Sequence, residues 1–381
     1  MKNVLNIEHL RSLAKRRLPK PVFEYIDGGA EDEVTLRRNV SAFSNYEILP
    51  SVLQKVDKIQ TRTEVFGREI AIPLFLGPTG LNRMFDDDAE LAVAKAAQKH
   101  GLLYSLSTMG TTTIETLAEN YSGPKVFQIY IFKDRGLTRE FVQRCKDKGY
   151  DGLTLTVDTP VAGNRERDHK SGLSVPPKLN LKSFMSFAMH PRWSLGALFG
   201  SKLELSNVSH RTEGLSNTSM SLFEYVNGQF DPSISWDDLE WLAAEWGGPL
   251  AVKGVMTPKD ACSAVECGAS GIIVSNHGGR QLDGAPAPID QIAAIRNAVG
   301  SGIDVICDGG IRRGSDIIKA IALGANAVSI GRAYIWGLSA AGEAGVDRAL
   351  TILAEEFGRA MALSGLNDVK KIGPEHVRKR L

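Results

Sequence analysis

The stretch IDVICDGGIRRGSDIIKAIALGANAVSIGRA (residues 303–333) holds two short apolar runs, IDVICDGG (303–310) and AVSIGR (327–332), around the pattern SDIIKAIALG. Both runs are continuous rather than alternating, which suits strands buried on both faces of a parallel sheet. The segment between them has the apolar spacing of a helix. Toward the N-terminus the same strand–helix unit recurs. Its strands read IPLFLGP (72–78), LLYSLST (102–108), KVFQIYI (125–131), GLTLTVD (152–158), PLAVKG (249–254) and GIIVSNHGG (271–279), with helical patterns such as DAELAVAKAAQKHG after them. Eight β–α units in about 290 residues predict an α/β chain folded as a (β/α)8 TIM barrel. A doubly wound open sheet would need fewer strands or a second domain.

The chain is read as a single domain, 1–381. Residues 1–65 form a helical N-terminal extension that caps one mouth, and 66–381 form the barrel. A long insertion, about 160–235, separates the fourth strand from the helix WDDLEWLAAEW (236–246). Loops of that length on the active face of a barrel are normally functional.

Composition narrows the function. Hydrophobic residues make up 43% and charged residues 23% of the 381, the balance of a globular protein. Lys and Arg number 45 against 44 Asp and Glu, so no basic excess points to nucleic acid. The four cysteines, Cys145, Cys262, Cys267 and Cys307, are too scattered for a disulfide framework or a zinc site, which suits a reducing cytoplasm. No secretory leader and no membrane-spanning run is expected.

A barrel takes its chemistry from the C-terminal ends of its strands. Those ends carry Pro78, Thr79 and Gly80, then Ser107, Gln128, Tyr130, Thr156 and Asp158. Later strands add Lys253, Ser275 to Arg280, Asp308 to Arg312, and Gly331 with Arg332. The loops after strands seven and eight, DGGIRRG and SIGRA, combine glycines with Arg312 and Arg332. Backbone N–H groups, a helix N-terminus and a guanidinium there would hold a phosphate. In SNHGGRQLDG (275–284), His277 suits proton transfer near neutral pH and Arg280 offers a fork for a carboxylate. Asp158 is placed to orient His277 and stabilise its protonated form. The remaining histidines have no such setting, so no metal site is expected.

With YIDGGAEDE (25–33), GPTGL (77–81), FQIYI (127–131), TVDTP (156–160), VKG (252–254), SNHGGRQLD (275–283), DGGIRRG (308–314) and GRA (331–333), the chain resembles the FMN-dependent α-hydroxy-acid dehydrogenase and oxidase family over essentially its whole length. The phrase FDPSISWDDLEW (230–241) is most similar to that of the bacterial lactate-oxidising members. The resemblance implies His277 as base with Asp158 as its partner, and Tyr25, Met109, Tyr130, Arg165 and Arg280 facing the substrate. It implies that Pro78, Thr79, Gly80, Ser107, Gln128, Thr156, Lys253, Ser275, Asp308, Gly310, Arg312, Gly331 and Arg332 hold FMN, with Lys253 beside the pyrimidine end of the ring.

The activity implied is oxidation of an L-2-hydroxy acid, L-lactate to pyruvate, with electrons passed to a quinone-type acceptor. Gly80 favours a dehydrogenase over an oxygen-using oxidase, which commonly carries Ala there. (S)-Mandelate oxidation within the same family is a further alternative, and a Schiff-base aldolase using Lys253 is the alternative of another class. The resemblance also implies a homotetramer. Residues 176–202 combine aromatic and basic residues without an acid, which suits the headgroup region of an anionic bilayer. The corresponding insertion in the family's mandelate dehydrogenase is a membrane anchor, and a lid or oligomer contact is the other reading. The protein is thus expected on the cytoplasmic face of the inner membrane, or in the cytoplasm.

Overall fold

The computed structural model describes residues 1–171, 181–199, 203–208 and 228–380; within 181–199 it describes the side chains of 185–191 and 193–196. Eight strands occupy the eight apolar runs: β1 (Leu74–Leu76), β2 (Tyr104–Ser107), β3 (Lys125–Ile129), β4 (Gly152–Thr156), β5 (Leu250–Val255), β6 (Gly271–Ser275), β7 (Asp304–Asp308) and β8 (Ala327–Ile330). They pair in parallel in chain order, and β8 returns to β1, so the sheet closes into a barrel.

Both strand faces are buried, for different reasons. Outward residues such as Leu76, Phe127, Leu155, Val252, Val274 and Val328 pack in the main core. Inward residues at the lower level, among them Phe75, Val126, Ala251, Ile273, Ile306 and Ala327, form a second apolar cluster. Val65, Phe66 and Ile70 join that cluster from the hairpin Thr63–Val65/Arg68–Ile70. Phe66 N–H donates to Asp304 at the start of β7 (2.9 Å), so the hairpin plugs the N-terminal mouth. Toward the other mouth the inward positions turn polar. Register sets Ser107 against Gln128, Thr156 against Lys253, and Ser275 against Asp308, which in turn meets Ser329. A dry lower half thus supports a polar upper floor.

The N-terminal segment is helical only as far as Asn45: α1 (Ile7–Arg17), α2 (Lys20–Asp27), α3 (Val34–Ser41) and a short 3-10 turn. Tyr46–Ile48 then pairs antiparallel with Val377–Lys379. That partner lies at the far end of the sequence, so no local pattern marks it. α1 packs on the long helix Arg332–Leu363, which is broken at Ala341 and Gly342. Helix Trp236–Trp246 begins at a capping box, with Ser235 N–H donating to Asp238 at 2.9 Å.

The insertion contains α4 (Glu166–Ser171), α5 (Leu181–Ala188) and α6 (Pro191–Phe199). Residues 172–180, 200–202 and 209–227 lie outside the described residues, and with them Lys178 and Lys202 of the expected membrane segment. The same holds for the side chains of Lys182, Phe184, Arg192, Leu198 and Phe199. Two contacts seat the helical pair: Lys20 N–H donates to Ser186 (2.8 Å), and the Trp193 indole donates to the Met84 carbonyl (2.8 Å). No helix among the described residues is long and apolar enough to cross a membrane.

Candidate active site

A pocket opens at the C-terminal mouth of the barrel, and every predicted site residue lines it except Asp158 and Ser275. Those two stand directly behind its wall. Ser275 Oγ donates to Asp308 (2.7 Å) and accepts from Lys253 Nζ (3.1 Å), while Nζ lies 3.6 Å from the Asp308 carboxylate. Lys253 Nζ is thus engaged by both Ser275 and Asp308 at the pocket floor.

Asp158 Oδ1 lies 2.9 Å from His277 Nδ1. Burial pushes the Asp158 carboxyl up, but the opposing charges of His277 and Lys253 and its hydrogen bonds outweigh this and hold it below its ordinary value. The ionised carboxylate can only accept, so Nδ1 carries the proton and Nε2 is left with its lone pair. Burial, with help from Lys253 and Arg280, keeps the imidazole below its ordinary value despite Asp158. At neutral pH the imidazole is thus uncharged and able to accept a proton. Gly254 makes the close approach of Asp158 to β5 feasible: its φ is +107°, and a Cβ there would fall 2.7 Å from the Asp158 Cβ.

His277, Gly278 and Gly279 all have left-handed backbone, with φ of +57°, +64° and +75°. For histidine this costs roughly 1–2 kcal/mol. The turn is closed by Gly279 N–H on the Asn276 carbonyl (3.0 Å), and the Gly279 carbonyl accepts from Ala30 N–H (2.8 Å).

Arg280 and Arg165 converge on the Tyr25 ring, their guanidiniums 4.9 and 5.8 Å from its centroid. Arg280 Nη1 donates to the Tyr25 and Gly28 carbonyls, and Arg165 pairs with Asp168 at 3.3 Å. Burial and the Arg165 charge bear down on protonated Arg280, as expected of a site awaiting an anion. Tyr130 is held well above its ordinary value, first by burial and then by Asp158 and Tyr25, so its hydroxyl remains a donor.

Arg312 stacks on Trp336 at 4.7 Å, and Arg332 donates to the carbonyls of Ile26, Gly278 and Gly28, the last of which it shares with Arg280. Burial lowers Arg312 to about 10 and Arg332 to about 9. Among the described residues neither has a carboxylate in ion-pair contact. Gly331 caps the N-terminus of the helix Arg332–Leu363 beside them, a ready place for a phosphate. Among the described residues, Gln128 Nε2, Thr156 Oγ1 and Ser329 Oγ are buried without a hydrogen-bond partner. Ser107 Oγ donates to Gln128 Oε1 (2.9 Å). Buried polar groups without partners are costly. A flat ligand with polar edges and a phosphate tail answers all of these demands, and the residues fit FMN.

Several wall residues were not foreseen: Ile26, Leu81, Phe85, Ala162, Phe230 and Gln281. Phe230 bridges Phe132 in antiparallel fashion and meets the Tyr130 ring edge-on at 5.1 Å. Its only signal in the sequence is its place at the return of the insertion, one residue before the DPS turn.

Fold and site together describe a barrel oxidoreductase whose strand-end pocket could hold FMN beside an uncharged histidine and a pair of arginines. The model of the FMN-dependent dehydrogenase family matches residues 14–379, and the chain belongs to that family. It is 42% identical over 366 residues to the L-lactate dehydrogenase of Alcaligenes faecalis, covering 96% of each chain. To the L-lactate dehydrogenase of Xanthomonas euvesicatoria it is 41% identical over 366 residues, covering 96% of this chain and 94% of the other. Among solved structures it is similar to the monotopic membrane protein (S)-mandelate dehydrogenase, with a TM-score of 0.93, 38% identity and coverage of 99% and 100%. A mandelate oxidase variant with (S)-mandelic acid gives 0.84 at 33% identity, covering 99% and 98%.

Proposed function

We propose that the chain oxidises a small L-2-hydroxy acid, L-lactate foremost, to the 2-oxo acid. The observation that carries this reading is the uncharged His277, held by Asp158 on the pocket wall that also presents Arg280 and Arg165. FMN, held by the residues of the pocket floor and by Arg312, Gly331 and Arg332, would supply the two-electron acceptor for this oxidation. Arg280 and Arg165 bind the carboxylate, which fixes C2 and its hydroxyl relative to Nε2. Tyr130 and Tyr25 hydrogen-bond the polar end of the substrate. His277 accepts the proton that the hydroxy acid gives up, and Asp158 stabilises the imidazolium so formed. Lys253 would sit beside the pyrimidine end of the flavin and stabilise its anionic reduced form. Met109 and Phe230 line the same pocket, and a small substrate side chain such as a methyl group is the proposed fit against Met109. L-Lactate added without oxygen to the yellow holoenzyme should bleach its visible absorbance, and His277→Gln should slow this by ~10²–10⁴-fold. Faster bleaching by (S)-mandelate would shift the substrate assignment to the reading that the structural neighbours favour.

A quinone acceptor, contact with an anionic membrane through 176–202 and a homotetramer belong to the same reading. Met185 on α5, Leu195 on α6 and Met189 between the two helices are exposed apolar side chains. With a short polar linker in place of 176–202, the protein should leave anionic vesicles while lactate still bleaches the flavin. A full-length protein that ignores such vesicles at low salt would make the segment a lid.

A further inference from the structure

Asn276 stands between the floor residue Ser275 and the base His277, and its side chain is buried. Its carboxamide is fully used. Oδ1 accepts from Gly279 N–H (3.1 Å) and from Asn39 Nδ2 (2.7 Å), while Nδ2 donates to the Pro286 carbonyl (2.9 Å) and to Asn39 Oδ1 (2.7 Å). A backbone N–H can only donate and a backbone carbonyl can only accept, so these two partners fix which way the Asn276 amide points. Residue 39 must then offer a donor and an acceptor side by side. At neutral pH, where a carboxylate can only accept, a carboxamide does so.

Asn39 lies on α3, outside the barrel sequence, yet it reaches both functional loops. Its own carbonyl packs so closely on the phosphate-side loop that a Cβ on Gly310 would fall 1.8 Å from it. One turn earlier, Leu36 lies against Gly279, where a Cβ would meet its N atom at 2.6 Å. Asp283 accepts from Val34 N–H (3.1 Å) and Thr35 N–H (2.7 Å), so the catalytic loop in turn caps α3. The left-handed run from His277 to Gly279 is therefore clasped from behind by one helix through one amide pair.

We propose that Asn39 is a positioning residue: through Asn276 it holds the left-handed turn that brings the His277 imidazole onto Asp158 and into the pocket. The proposal rests on the reading of His277 as the base, and its test separates the two. In full-length, FMN-loaded protein, Asn39→Ala should lower the rate of anaerobic flavin bleaching by lactate ten- to a hundredfold while KM stays within about twofold. Without substrate, the downfield proton resonance of His277 Nδ1 should broaden or move, a signal independent of turnover. Asn39→Asp keeps size and acceptor but lacks the donor facing Asn276 Oδ1. Its rate relative to wild type should rise as pH falls and the introduced carboxyl regains a proton, so this variant decides the matter should Asn39→Ala not fold. Asn39→Ala added to Asn276→Ala should cost no more rate than Asn276→Ala alone. Unchanged rate and Nδ1 signal with only a lower melting temperature would overturn the proposal, as would additive rate losses. A displaced Nδ1 signal with an unslowed rate would uphold the positioning role and remove His277 as base.

Discussion

Asp158→Asn isolates the charge behind the base. Asparagine keeps the shape and the carbonyl that accepts from His277 Nδ1–H, so the 2.9 Å contact can survive while the negative charge is lost. The imidazolium formed on proton uptake would face a neutral amide, with Lys253 and Arg280 still repelling it. Charge centres at this contact lie ~4 Å apart, and at an effective dielectric of ~20 such a pair is worth about 4 kcal/mol. Side chains 25% and 13% exposed let the pocket screen part of that. At 1.36 kcal/mol per tenfold, roughly 2.7–4 kcal/mol corresponds to a ~10²–10³-fold slower reduction. Rapid-mixing bleaching of the flavin by lactate without oxygen reads this directly, and flavin content should be unchanged. A loss below tenfold, with the contact intact, would show that Asp158 only orients the ring.

The remaining expectations concern pH, packing and the carboxylate clamp. Because His277 sits below its ordinary value, bleaching rates should stay level from neutral pH to below ~6.5 and then fall, since protonation removes the base. Asp158→Asn, which removes an influence that raises His277, should move that limb further to acid; a limb above pH ~7 would contradict the assignment. In Gly80→Ala the new Cβ would sit 2.8 Å from the Met109 Cβ and 3.2 Å from its carbonyl, which also accepts from Leu81 N–H. Overpacking of this kind costs ~1–3 kcal/mol, so thermal unfolding should show a lower Tm and kinetics a higher KM for lactate, and neither change would be seen if Met109 could yield. Arg280→Lys loses the fork and the stacking on Tyr25, so kcat/KM should fall at least tenfold with FMN retained; unaltered kcat/KM would assign the carboxylate elsewhere.

The barrel was legible because each strand is apolar on both faces and stops at a glycine or a polar residue. β7 and β8 show this plainly, from Ile306 and Ala327 in the lower cluster to Asp308 and Ser329 on the polar floor. Most pocket residues were legible for the related reason that they stand at strand ends. What stayed hidden reaches the pocket by a tertiary route. Phe230 arrives from the return of the insertion, Phe85 from the 3-10 turn after β1, and Asn39 from a helix joined to the catalytic loop across 237 positions. The pairing of Tyr46–Ile48 with Val377–Lys379 is of the same kind, since three residues have no period to read.

Arg332 draws three carbonyls together, two from residues 26 and 28 and one from the catalytic loop. Arg348, midway along the same helix, binds the Val4 carbonyl at 2.7 Å. On the ribosome, the first thirty residues emerge long before their partner is synthesised, and domains generally fold as units during or after synthesis. The phosphate cradle thus comes into being only when the last strand and its helix have left the exit tunnel. A nascent chain stalled before that point presents no completed place for the cofactor, so flavin should co-purify only with chains synthesised past it.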